Sequence, residues 1–137
     1  MKIDRIQLTV RELIDGYEEK GADGIEGVVA FGGKLDVRPA YQREYIYPDK
    51  DRDEVIRSVQ KDFPINVMYW AKVSDNHYEL MDGQQRTISI CRYAAAKNMD
   101  DLRPYECCYA VDDLYFFNLP ADKKDDILDY VLDIYVC

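Results

Sequence analysis

The chain has 137 residues, 47% hydrophobic and 33% charged, with only seven Gly and five Pro, which suits one globular domain over residues 1–137 and excludes disordered and fibrous classes. Eighteen Lys and Arg stand against 27 Asp and Glu, a formal charge of −9, and the stretch from residue 100 to the end holds ten acids and three bases. A surface of this sign repels phosphate backbones, so direct duplex DNA binding is not expected, whereas imitation of nucleic acid is open to it.

The opening MKIDRIQLTVRELI carries charges throughout and lacks the apolar run of a signal peptide. No later stretch approaches the length of a bilayer span, so a cytoplasmic protein without membrane association is expected. Thr9 and Glu12 have the spacing of a capping box, and Leu13, Ile14 and Tyr17 follow at helical intervals, which predicts a helix over about residues 10–20 closed by Gly21. The glycine-punctuated GADGIEGVVAFGGK suits a short strand within loops, or an irregular hairpin.

Pro39 and Pro48 bias their predecessors away from helix, so LDVRPAYQREYIYPDKD begins extended. Asp51 and Glu54 open a helix whose Val55, Ile56 and Val59 share a face and which stops near Phe63-Pro64. INVMYWAKV and HYELM read as two mostly buried strands joined by the turn-forming SDN. A helix from Gln84 follows, with Ile88, Cys91, Ala95 and Met99 on one stripe. RPYECCYAV is a strand candidate, PADKKDDILDY a helix with an acidic first turn, and VLDIYVC a final strand.

Between HYELM and the helix stands Asp82-Gly83-Gln84-Gln85-Arg86. A strand that hands directly to a helix presents backbone N–H groups at the helix start, where anions bind. Gly83 permits a positive φ or close approach, Gln84 and Gln85 add amide donors, and Arg86 offers a fork matched to phosphate oxygens. Asp82 reads either as a cap on those amides or as a ligand for Mg²⁺ accompanying a nucleotide. Tyr41-Gln42-Arg43, with Arg38 just before it, is a second polar cluster. If it runs beside the Asp82 strand, Arg43 and Arg86 converge on one phosphate chain, with Tyr41 or Tyr45 near a base.

The blander readings cover the rest. Cys91, Cys107, Cys108 and Cys137 form neither a CxxC pair nor a Cys/His ligand set, and read as reduced, half-buried thiols. His77 is the only histidine and reads as a surface turn residue with nothing to orient it as a base. Trp70 and the strand tyrosines read as core and sheet-surface residues.

PAYQREYIYPDKDRDEVIRSVQKDFPINVMYW followed by YELMDGQQRTISICRY resembles the N-terminal domain of the GmrSD-type modification-dependent restriction enzymes, a branch of the ParB/sulfiredoxin-like fold. The resemblance runs over about residues 3–136 and rests on the P-x-Y-Q-R segment and the D-G-Q-Q-R turn; Glu44 and Tyr47 depart from the family's usual continuation. It implies an α/β (α+β) domain with a small mixed sheet flanked by about four helices, in a short or truncated member of the family. It also implies a nucleotide-binding and NTP-hydrolysing module for phage defence. Gln42, Arg43, Gly83, Arg86 and Thr87 would hold the phosphates of a nucleoside triphosphate, and Asp82 would hold Mg²⁺ or water. Gln84 and Gln85 would serve catalysis by orienting the attacking water. In that family the domain serves an attached nuclease of the HNH kind; no such His/Asn constellation is present here, so a separate effector nuclease is the expected partner. The alternative is a non-enzymatic acidic protein on the same fold, of anti-CRISPR or anti-restriction type, that occupies the nucleic-acid groove of a basic host protein.

Overall fold

The computed structural model describes residues 3–20, 27–38, 49–95 and 110–137. In chain order these form β1 (Asp4–Thr9), α1 (Val10–Ile14), β2 (Glu18–Lys20), β3 (Gly27–Ala30), β4 (Leu35–Arg38), α2 (Asp49–Gln60), β5 (Met68–Ser74), β6 (His77–Asp82), α3 (Gln84–Ala94), a 3-10 turn (Phe116–Asn118), α4 (Ala121–Leu128) and β7 (Val131–Val136). The seven strands make one mixed sheet in the order β1-β7-β5-β6-β4-β3-β2. β4 runs parallel to β6 and β5 parallel to β7; the other pairs are antiparallel.

Alternation along the strands decides which face is covered. In β7 Leu132, Ile134 and Val136 are buried, while Val131 is exposed and Asp133 and Tyr135 are only partly covered. In β5 Met68 and Trp70 are buried and Tyr69 is exposed. The covered face packs with the helices into a single cluster that includes Leu13 of α1, Val55, Ile56 and Val59 of α2, Ile88, Ile90 and Cys91 of α3, and Ile127 of α4. Each Leu or Ile so buried contributes about 1.5–3 kcal/mol. Among the described residues the opposite face carries no helix, so β5 and β6, expected to be mostly buried, are buried on one side only.

The Thr9–Glu12 capping box is present, with Glu12 N donating to Thr9 Oγ1 at 3.2 Å and Thr9 N to Glu12 Oε1 at 3.1 Å. The helix it opens is shorter than the pattern predicts. It ends at Ile14, Gly16 takes φ 65°, and residues 18–20 join the sheet. The reason is non-local: the turn after β3 supplies Phe31 N to Leu13 O at 2.8 Å and Gly32 N to Asp15 O at 2.7 Å, which satisfies backbone at the helix end. Gly16 therefore does the work expected of Gly21.

α3 is more enclosed than a single stripe implies. Thr87, Ile88, Ser89, Ile90, Cys91, Tyr93 and Ala94 are all buried, because α3 packs against both α1 and α2. Met99 and most of the RPYECCYAV segment, including Cys107 and Cys108, lie outside the described residues; Val111 makes an isolated bridge with Leu114. Cys91 is fully buried and its thiol is pushed well above its ordinary pKa by desolvation and by nearby Glu19.

Candidate functional site

β6 delivers its last residue, Asp82, to the rim of the sheet, and the chain turns into α3 through Gly83. Gly83 occupies the helix N-cap position at φ 102°, ψ 17°, so the residue at the cap has no side chain of its own to close the helix. A left-handed φ of that size suits glycine. Space demands it as well: a Cβ there would lie 2.9 Å from Met68 Cγ and 3.2 Å from Arg86 Nη2. The first bond within the helix runs from Thr87 N to Gly83 O at 2.9 Å. The three N–H groups ahead of Thr87 are thus not used by the helix itself, and they stand at its positive end.

The turn from Met81 to Arg86 walls a cavity of about 280 Å³. Asp82 holds its carboxylate at the mouth, two-thirds exposed and 4.0 Å from Arg86 Nη2. Gln85 is exposed, and Gln84 is partly buried with its Nε2 donating to Val37 O on β4 at 3.4 Å. Arg86 is drawn inward, with only 19% of its side chain exposed. Its Nη2 donates to Val67 O at 3.0 Å, and its buried Nε has no hydrogen-bond partner among the described residues. A buried, unsatisfied guanidinium nitrogen costs free energy unless an acceptor arrives. Arg86 also lines a second cavity, of about 310 Å³, beside Asp51, Glu54 and Ser58 of α2.

Thr87 lies inside the protein, its hydroxyl donating to Met68 Sδ at 3.2 Å. Its side chain therefore faces the core and not the cavity. Gln42, Arg43, Tyr41 and Tyr45 lie outside the described residues. Among the described residues no cluster of three His, Cys, Asp or Glu could hold a metal alone. A single carboxylate at the cavity mouth fits the way Mg²⁺ is commonly held, by one or two carboxylates with phosphate oxygens and water completing the shell.

Two features were missed by sequence reasoning. His77 opens β6 and does not sit free in a turn: its Nε2 lies 2.9 Å from Asp36 Oδ2 of β4, so an orienting carboxylate does exist. The parallel β4–β6 pairing that unites them leaves no local signal. The second is Glu19 on the edge strand β2, buried to 3% exposure. Arg92 of α3 grips both its oxygens, at 2.9 and 2.6 Å, and Tyr17 donates its hydroxyl at 3.0 Å. This network ties the sheet edge to the helix that carries the turn.

What these features define is a one-layer-on-one-layer α/β domain with a glycine-capped helix start, an arginine and an acidic side chain gathered at one rim of its sheet. Residues 25–135 match the family model of the GmrSD restriction endonuclease N-terminal domain. The match takes in most of the chain, the DGQQR turn included, and the chain belongs to that family of restriction-related domains. No curated protein and no solved structure matches it. No described helix is long and apolar enough to cross a membrane.

Proposed function

We propose that this domain binds a nucleoside triphosphate, with the phosphates at the start of α3, and that it hydrolyses the nucleotide to regulate a separate effector nuclease in phage defence. The observation that carries the reading is the pairing of Gly83, whose left-handed conformation starts α3 at the wall of the cavity, with Arg86, whose buried Nε lacks an acceptor among the described residues. Membership of a restriction-related family supports it. In this reading the amides and Arg86 neutralise phosphate charge, and Asp82 holds Mg²⁺ at the mouth. Gln84 and Gln85 orient the attacking water, and Gln42 and Arg43 complete the pocket. Mg²⁺ would supply charge neutralisation of the phosphate oxygens.

The test is thermal stability of the protein with Mg²⁺ and each of ATP, GTP, CTP and UTP, wild type beside Arg86→Ala. Saturation at about 100 times Kd adds about 2.7 kcal/mol to stability. A shift with at least one nucleotide that vanishes in Arg86→Ala, while the unliganded variant still melts cooperatively, is the expected result. No shift with any nucleotide would sink the reading.

One observation favours a second reading. Asp122, Asp125, Asp126 and Asp129 are all exposed on or just after α4, an acidic face that suits a decoy for a basic, nucleic-acid-binding partner. That reading requires partner binding that weakens steeply with salt and is indifferent to Arg86→Ala.

A further inference from the structure

Four residues cross the uncovered face of the sheet in one row. The register pairs Arg5 of β1 with Tyr135 of β7, Tyr135 with Tyr69 of β5, and Tyr69 with Asp82 of β6. Directly paired residues put their side chains on the same face. The row thus runs from the sheet edge to the first residue of the DGQQR turn. Tyr69 and Tyr135 meet edge to face with ring centroids 5.5 Å apart, an arrangement that fixes the rings without burying them. Tyr69 remains 37% exposed.

Beside Tyr69, the pairing slips between Tyr69↔Asp82 and Trp70↔Leu80, which leaves Met81 as the extra residue of a bulge. Met81 is 63% exposed and lines the cavity of the turn. Bulges re-aim side chains at functional rims. An exposed aromatic ring and an exposed thioether at this point do nothing for the core. On the Tyr135 side the charges are already engaged with each other: Asp133 accepts from Arg5 at 2.8 Å and from Gln7 at 2.9 Å. What remains beside Asp82 is the uncharged ring of Tyr69, one strand spacing of about 4.8 Å from the turn.

We infer that Tyr69, steadied by Tyr135 and flanked by Met81, stacks on the base of the nucleotide whose phosphates lie at Gly83–Arg86. The inference rests on the phosphate reading and adds to it the site of the base. Stacking on an aromatic face tolerates any base, so the platform gives affinity for nucleosides over bare phosphate chains without strong choice among them.

The test separates the two sites by comparing Mg²⁺-ATP and Mg²⁺-GTP with Mg²⁺-tripolyphosphate, which lacks a base, in titration calorimetry. Variants are Tyr69→Ala, Tyr69→Phe and Arg86→Ala, each first checked by its unliganded melting curve. Tyr69→Ala is expected to weaken the nucleotides by about five- to 150-fold, the range of one lost stack, and to leave tripolyphosphate unchanged. Tyr69→Phe keeps the ring and stays near wild type. Nucleotide affinity unchanged in Tyr69→Ala overturns the base site and leaves the phosphate turn standing. An equal loss for nucleotides and tripolyphosphate also overturns it, since Tyr69 would then act on the turn itself. If neither probe binds the wild type, the phosphate reading fails and the base site with it.

Discussion

Removing Arg92 isolates a buried charge. The Glu19 side chain is 2% exposed and Arg92 20%, and the guanidinium supplies two of the three hydrogen bonds that the carboxylate receives. At an effective dielectric near 20, two unit charges about 4 Å apart attract by about 4 kcal/mol. Breaking a buried pair from one side costs about 3–5 kcal/mol, because the remaining ion is left uncompensated. Arg92 keeps a fifth of its side chain in water, which puts Arg92→Ala near the lower end, about 3 kcal/mol. A domain of this size is stable by about 5–15 kcal/mol, so the loss is a large share. In urea, with a slope of about 2 kcal/mol per molar, the midpoint should fall by about 1.5 M. A double-mutant cycle isolates the pair: Arg92→Met and Glu19→Met should each destabilise, and the double variant should recover most of the loss, since an apolar pair leaves no buried charge. A loss below about 1 kcal/mol for Arg92→Ala, or simple additivity in the cycle, would refute the argument that this pair is energetically coupled.

Gly83→Ala places a Cβ 2.9 Å from Met68 Cγ at φ 102° and should cost about 1–3 kcal/mol; an unchanged melting temperature would contradict the geometry. Thr9→Ala removes the cap acceptor for Glu12 N and should cost about 1 kcal/mol, read as a shift in urea midpoint that Thr9→Ser largely restores. Burial raises both Cys91 and Tyr17 above their ordinary values of 9.0 and 10.0, with Glu19 adding to each. Their neutral forms therefore support the fold fully below pH 9, and that support drains as the unfolded chain ionises first, by at most about 1.4 kcal/mol per pH unit and group. Denaturation at pH 8, 9 and 10 should show stability falling with pH, and Cys91→Ala should flatten the first part of the decline.

Much of the architecture follows from neighbours along the chain. The capping box at Thr9–Glu12, the apolar face of Val55, Ile56 and Val59, the SDN hairpin and the strand-to-helix passage through Asp82-Gly83 all depend on residues within a turn or two of each other, so their physics is written in local order. The glycine in DGQQR is legible for the same reason: the sharp change from strand to helix asks for a residue without a Cβ. What local order could not supply is which distant backbone completes each element. α1 stops at Ile14 because the turn after β3 arrives with its N–H groups, and only then can residues 18–20 join the sheet and Glu19 meet Arg92. The parallel pairings of β4 with β6 and β5 with β7 bring Asp36 to His77 and Tyr135 to Tyr69 from 41 and 66 positions away. Such contacts arise from sheet register, a cooperative property of the whole fold. Local order thus accounts for the glycine-bearing passage from β6 into α3, whereas the Tyr69–Tyr135 pair beside it exists only because distant strands come into register.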